Sequence, residues 1–138
     1  MKYTLIAAAL LIATNVQAGC DEPDIKGTWL LNTTMVDVTY YYGPAVLSCK
    51  VKVDARGRIS NKGSKCTSRD MDGNYSINVY DGEFLVKSSC GIEAVLDTDF
   101  GLIYVEDGQL ASDQKTWQGQ AVVAFDPNNT GTVVATRK

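Results

Sequence analysis

The chain has 138 residues, of which 13 are Lys or Arg, 16 are Asp or Glu and none is His. The lack of histidine excludes Ser-His and Cys-His nucleophile pairs and the usual His-based catalytic zinc sites. A formal net charge of −3 argues against non-specific binding to nucleic acids or anionic membranes, because both require a basic surface. No block of like charge stands out, which predicts a well-solvated acidic surface.

Residues 1–18 have the features of a bacterial-type secretory signal. Lys2 supplies a positive charge, residues 5–13 are almost wholly apolar, and Val16 and Ala18 stand at the positions that a signal peptidase reads. The apolar run is shorter than the roughly 20 residues that span a bilayer. We therefore expect residues 1–18 to be removed, residues 19–26 to form an N-terminal segment and residues 27–138 to form one domain, with no transmembrane segment.

Cys20 has two alternative roles. The letters AGC at positions 18–20 fit a lipoprotein cleavage site, but Gln17 stands where such sites usually carry Leu, Val or Ile. Four cysteines can form two disulfides in an oxidising compartment, whereas lipidation of Cys20 leaves an odd thiol. The four are Cys20, Cys49, Cys66 and Cys90. The sequence favours a periplasmic or secreted, disulfide-bonded protein over the alternative, a membrane-anchored lipoprotein.

From Gly27 onward the sequence reads as short strands and turns, with turns expected near residues 55, 82, 108 and 128. The segment 91–99 is the one short helical candidate, because no long stretch has apolar residues at helical spacing. Some eight strands joined to their neighbours predict an all-β fold, an antiparallel up-and-down meander. A closed barrel is favoured over a sandwich because closure removes exposed strand edges.

The first strand and the end of the chain resemble a known family. Gly27-Thr28-Trp29 opens the first strand, and Arg137 lies at the end of the last one. This arrangement resembles the calycins, which include the lipocalins, where a Gly-x-Trp opens strand one and a basic residue of the final strand packs across the indole. Bacterial periplasmic metalloprotease inhibitors are similar in length and begin with the same kind of strand. The resemblance implies that Trp29 and Arg137 are structural residues that close one end of a small barrel.

Strict alternation in residues 46–53 predicts a strand with one buried face, formed by Leu47, Cys49, Val51 and Val53. A three-residue loop at 55–57 then pairs Val53 with Ile59 and places Gly57 in the left-handed conformation that such loops need.

Two Asp-Gly pairs predict tight hairpin loops, because both central residues of a type I′ turn need positive φ. Asp81-Gly82 is expected to pair Val79 with Phe84, and Asp107-Gly108 is expected to pair Val105 with Leu110. The last hairpin is expected to return through residues 126–131. In the expected hairpin at Asp81-Gly82, Ile77 and Val86 face inward together with Val79 and Phe84. Tyr75 and Trp117 are also expected to lie in the core.

Disulfide connectivity is left open by the sequence, since four cysteines allow three pairings. The expected register places Cys49 opposite Gly63, close to Cys66, which allows Cys49–Cys66 with Cys20–Cys90. Pairing Cys66–Cys90 with Cys20–Cys49 also ties neighbouring strands together.

Candidate functional residues are few. Asp70 with Asp72 and Asp97 with Asp99 are carboxylate pairs, but the first lacks the spacing of a calcium loop, and polar turns and strand ends explain both. The run Tyr40, Tyr41 and Tyr42 is a possible binding surface, because tyrosine is enriched at recognition sites and neighbouring strand residues face opposite ways.

The sequence therefore predicts a small exported β-barrel that is not an enzyme and has no cofactor or metal. Its expected partner is a protein, as for an inhibitor, or a small apolar ligand. The alternative is a structural accessory of the cell envelope, anchored through Cys20.

Overall fold

Eight antiparallel strands close into a barrel in which each strand pairs with its neighbours in the chain and β8 pairs with β1. The structure, a computed structural model, describes residues 19–20, 22–37, 45–124 and 126–138. A short 3-10 helix (Glu22–Ile25) precedes the barrel. The strands are β1 (Gly27–Asp37), β2 (Ala45–Val53), β3 (Ile59–Arg69), β4 (Asn74–Val86), β5 (Gly91–Thr98), β6 (Gly101–Leu110), β7 (Thr116–Val123) and β8 (Asp126–Arg137). The predicted meander, strand number and closure are confirmed.

Inward and outward positions alternate along the strands, as the sequence pattern predicts. On β2 the predicted inward residues are all buried, while Lys50 and Lys52 are exposed. Ile77, Val79, Phe84 and Val86 on β4 are buried as well. Within the described ranges, no helix is long and apolar enough to cross a membrane.

The β2–β3 hairpin has the predicted register, with Val53 paired to Ile59 and Gly57 at φ 79°. Its tip packs on β4, because the Phe84 N–H donates to the Gly57 carbonyl oxygen at 2.7 Å. A Cβ on residue 57 would lie 2.1 Å from the Phe84 carbonyl oxygen, so glycine is required there for close approach as well as for φ.

A bulge in β3 then shifts the register between Lys50 and Lys52. The Lys52 N–H donates to Ser64 Oγ at 2.9 Å in this bulge. As a result Cys49 lies opposite Cys66, and not opposite Gly63 as expected.

The predicted hairpin at Asp81-Gly82 is wrong. Strand β4 runs continuously through both residues, and Phe84 pairs with Ala94 of β5, where the hairpin would have paired it with Val79. Gly82 instead allows close contact between strands, since a Cβ there would lie 2.5 Å from the Val95 carbonyl oxygen. A register shift between Val79 and Asp81 keeps the flanking apolar residues on the inner face.

The predicted hairpin at Asp107-Gly108 is wrong for the same reason. Strand β6 continues through it, with Asp107 at φ 50° and register shifts on both sides. A Cβ on Gly108 would lie 2.5 Å from the Ile92 carbonyl oxygen. The β6–β7 turn lies further on, where the Ala111 N–H donates to the Thr116 carbonyl oxygen.

Three further expectations need correction. Residues 126–131 do not form the return, because β8 already begins at Asp126 and Gly131 pairs with Ala121. The helical candidate 91–99 is mostly strand β5. Tyr75 has inward parity but is 42% exposed, since it lies near the start of β4 at the rim of the barrel.

The barrel end that carries the N-terminal segment is filled by large side chains. Trp29, Trp117 and Phe84 pack together, with the Trp117 ring centroid 6.5 Å from that of Trp29 and 5.6 Å from that of Phe84. Ile25, from the 3-10 helix, is 1% exposed and covers this end. We call it the capped end.

Candidate functional site

The predicted binding surface at Tyr40, Tyr41 and Tyr42 lies outside the described residues. A role for these tyrosines in binding therefore stays a prediction.

Trp29 and Arg137 meet at the capped end. They are register partners on β1 and β8, and the Arg137 guanidinium carbon lies 5.0 Å from the Trp29 ring centroid, within the range of a cation–π contact. The Trp29 indole N–H donates to the Ile25 carbonyl oxygen at 2.6 Å. Trp29 is 1% exposed, so its contacts are with the barrel and its cap, and it has little surface to offer a partner.

The four cysteines form two disulfides, Cys20–Cys90 and Cys49–Cys66, which is the first of the two pairings considered. The second bond links β2 and β3 inside the barrel. Cys20–Cys90 ties the N-terminal segment to the β4–β5 turn. Because the Cys20 sulfur is used in this bond, it cannot at the same time carry a thioether-linked lipid.

The Asp70–Asp72 turn is held by its own hydrogen bonds. The Asp70 carboxylate accepts from the backbone N–H groups of Asp72 at 2.8 Å and Gly73 at 3.0 Å. This is the behaviour of an aspartate that stabilises a polar turn. Across the ranges that the structure describes, no group of three or more acidic, Cys or His side chains is placed to hold a metal ion.

Asp97 and Asp99 do not act as a pair. Asp99 accepts hydrogen bonds from the Tyr80 hydroxyl and, at 2.6 Å, from the Asn78 N–H. The Tyr80 hydroxyl, followed by the Asn78 N–H, lowers the pKa of the Asp99 carboxyl, and the same carboxylate raises the pKa of Tyr80. Asp97 instead lies directly across from Asp81 of β4.

The outer face of β6 presents exposed apolar side chains one after another along the chain. Phe100, in the turn before β6, is 50% exposed, and Leu102 and Tyr104 on the strand are 37% and 38% exposed. We call these three residues the β6 ridge. Ile103 and Val105, which alternate with the ridge residues along the strand, point inward and are buried, so this part of β6 is apolar on both faces. On β2, by contrast, the outward positions are Val46, Ser48, Lys50 and Lys52, of which only Val46 is apolar.

Acidic residues border the β6 ridge on the neighbouring strands. Across the sheet, Tyr104 pairs with Val95, which pairs with Glu83, and Leu102 pairs with Asp97, which pairs with Asp81. Two shallow grooves of about 500 and 570 Å³ run along these rows. Their walls combine apolar side chains with acidic ones, and the acidic residues are Asp81, Glu83, Glu93, Asp97, Glu106 and Asp107.

Charge is divided unevenly over the barrel. Residues 74–110, which contain β4, β5 and β6, carry seven Asp or Glu and one Lys. Residues 45–73, which contain β2 and β3, carry seven Lys or Arg and three Asp. One side of the barrel is therefore acidic and the adjacent side is basic.

Two signals in the sequence point to this surface. Four consecutive apolar residues at 102–105 are typical of a strand that is covered on both faces, and the charge of residues 74–110 departs sharply from that of the whole chain. The expected hairpin at Asp107-Gly108 makes residues 102–105 one strand of a simple hairpin, so the apolar run does not stand out in that interpretation.

No protein-family model matches the chain, and no curated protein matches it. The eight-stranded antiparallel closed barrel is the architecture that the resemblance to calycins implies.

Proposed function

We propose that this protein is a small exported binding module, without enzymatic activity, that holds a protein partner on the outer face of β4, β5 and β6. The observation that carries the proposal is the β6 ridge. Exposed apolar patches rimmed by polar residues mark interaction sites in soluble proteins, and burying each such side chain contributes about 1–2 kcal/mol to binding.

The packing of the barrel favours this surface over a ligand site inside it. Trp29, Trp117 and Phe84 fill the capped end, and Cys49–Cys66 lies further along the interior. A small-ligand carrier of this size uses its interior as the pocket. Buried side chains occupy the barrel interior along much of its length, which favours the outer face as the binding site.

The carboxylates support binding over catalysis. A general acid at neutral pH needs a raised pKa, but the pKa of Asp99 is lowered by the Tyr80 hydroxyl and the Asn78 N–H. Two disulfides suit an oxidising compartment, and the use of Cys20 in one of them favours a protein free of a lipid anchor.

We expect that Leu102→Thr/Tyr104→Thr weakens capture of the partner from an envelope extract of the producing cells at least about tenfold, because two apolar contacts are lost. Threonine suits a strand, so the barrel should stay folded. The matched control is Leu30→Thr/Val134→Thr, which changes two similarly exposed apolar residues on β1 and β8. Equal capture by both variants would overturn the proposal. The readout is quantitative mass spectrometry of the captured proteins, with circular dichroism to confirm folding.

A further inference from the structure

We infer that the partner is cationic where it contacts this protein, presenting Lys or Arg side chains around an apolar centre. The inference rests on the proposed function, since it concerns the same outer face of β4, β5 and β6. It adds the chemistry of the partner, which the apolar β6 ridge by itself does not define.

The acidic residues are placed to contact such a partner. Glu83 lies in the same cross-strand row as Tyr104, and Glu106 is two residues beyond Tyr104 on the same face of β6. Asp81 and Asp97 face each other across β4 and β5, beside Leu102. Like charges directly opposite each other on a sheet are destabilising, so a cation that binds between them relieves repulsion.

Within the described part of the chain, few cations offset these charges. Lys87 forms an ion pair with Glu93, and Arg58, which bridges to Glu83 through the backbone, lines the groove beside Asp81. Against these two cations the grooves have six acidic residues. The surface therefore keeps a negative potential that attracts a basic partner and speeds association.

A second copy of the chain fits this surface less well. The basic side of the barrel, β2 and β3, has the complementary charge, but its outward residues are mostly polar and include Ser48, Lys50, Lys65 and Thr67, with Val46 of β2 as an exposed apolar residue. These polar residues give the β6 ridge little apolar surface to pack against. A partner with both basic and apolar residues matches the charge and the ridge together.

Synthetic peptides test the inference directly. The ¹⁵N-labelled chain, without residues 1–18, is titrated with the peptides Lys-Leu-Lys-Leu-Lys-Leu, Glu-Leu-Glu-Leu-Glu-Leu and Ser-Leu-Ser-Leu-Ser-Leu, and amide shifts are followed by NMR. We expect the Lys-Leu peptide alone to shift amides of β4, β5 and β6. Its affinity should fall about fivefold between roughly 0.05 M and 0.3 M salt, because screening weakens attraction between exposed charges.

The charge variants provide the control. Glu83→Gln/Glu106→Gln should weaken binding of the Lys-Leu peptide about fivefold, whereas Asp72→Asn/Asp113→Asn, which removes two exposed charges elsewhere, should leave it unchanged. Equal weakening by both variants, or shifts spread over the whole surface, would overturn the inference.

The remaining outcomes separate this inference from the proposed function. If the Glu-Leu or Ser-Leu peptide binds at β4–β6 as well as the Lys-Leu peptide, the partner is not cationic but the surface is still a binding site. If no peptide binds there while Leu102→Thr/Tyr104→Thr still loses the cellular partner, the cationic inference alone fails. Self-association that Glu83→Gln/Glu106→Gln abolishes, seen by analytical ultracentrifugation, makes a second copy the occupant and also overturns it.

Discussion

Replacing Trp29 by alanine is expected to lower the free energy of unfolding by about 4 kcal/mol, because removing a buried indole leaves a cavity that the barrel cannot fill. Trp29 is 1% exposed and packs against Trp117 at the capped end. The substitution also leaves the Ile25 carbonyl oxygen without its donor and removes the aromatic face on which Arg137 lies. Urea unfolding followed by circular dichroism measures the change.

Phenylalanine substitutions separate these contributions and keep the test open if Trp29→Ala does not fold. Trp29→Phe loses the hydrogen bond to Ile25, whereas Trp117→Phe loses none, since Trp117 Nε1 has no acceptor among the described residues. We therefore expect Trp29→Phe to cost about 1 kcal/mol more than Trp117→Phe. If Trp117→Phe is equally or more destabilising, the hydrogen bond from Trp29 to Ile25 does not hold the cap.

Breaking Cys20–Cys90 is expected to cost about 4 kcal/mol, since the bond joins residues 70 positions apart and restricts a long loop of the unfolded chain. By the same loop-entropy argument, Cys49–Cys66, which spans 17 positions, contributes about 3 kcal/mol. The variants are Cys20→Ala, Cys90→Ala and the double substitution, compared by urea unfolding.

The three variants should lose nearly the same stability, because each breaks the same bond and the effects are therefore not additive. Single effects that sum to the effect of the double variant would show that Cys20 and Cys90 are not partners. Peptide mapping of the non-reduced protein provides the control. A Cys66–Cys90 peptide, or a diacylglycerol adduct on Cys20, would contradict the pairing directly.

Side-chain parity predicted the interior of the barrel better than it predicted the turns. Val79 and Phe84 are buried, as expected, although they are not hairpin partners. An Asp-Gly pair is compatible with two structures, because its glycine permits either a tight hairpin turn or the close approach of two long, coiled strands. Gly82 and Gly108 serve the second purpose, which depends on the neighbouring strand and cannot be read from local sequence.

The disulfide pairing also depends on a local irregularity that the sequence pattern does not reveal. Cys49 and Cys66 become direct neighbours because of the bulge in β3, where Gly63 adopts φ 93° and Ser64 binds the Lys52 N–H. Regular alternation could place the two cysteines near each other but not opposite each other. For the β6 ridge the sequence did contain the signals, namely the apolar run at 102–105 and the acidic charge around it. They could be interpreted only with the knowledge that β6 is one continuous strand.

Site-specific photo-crosslinking in the producing cells tests the binding surface most directly. A benzophenone amino acid is placed at Tyr104 in one variant and at Leu30 in another, two positions with nearly equal exposure of 38% and 39% on different sides of the barrel. We predict one discrete higher-mass adduct from position 104 and none from position 30. Identical adducts at both positions, or no adduct at position 104, would contradict the assignment of the outer face of β4, β5 and β6 as the surface that binds a protein partner.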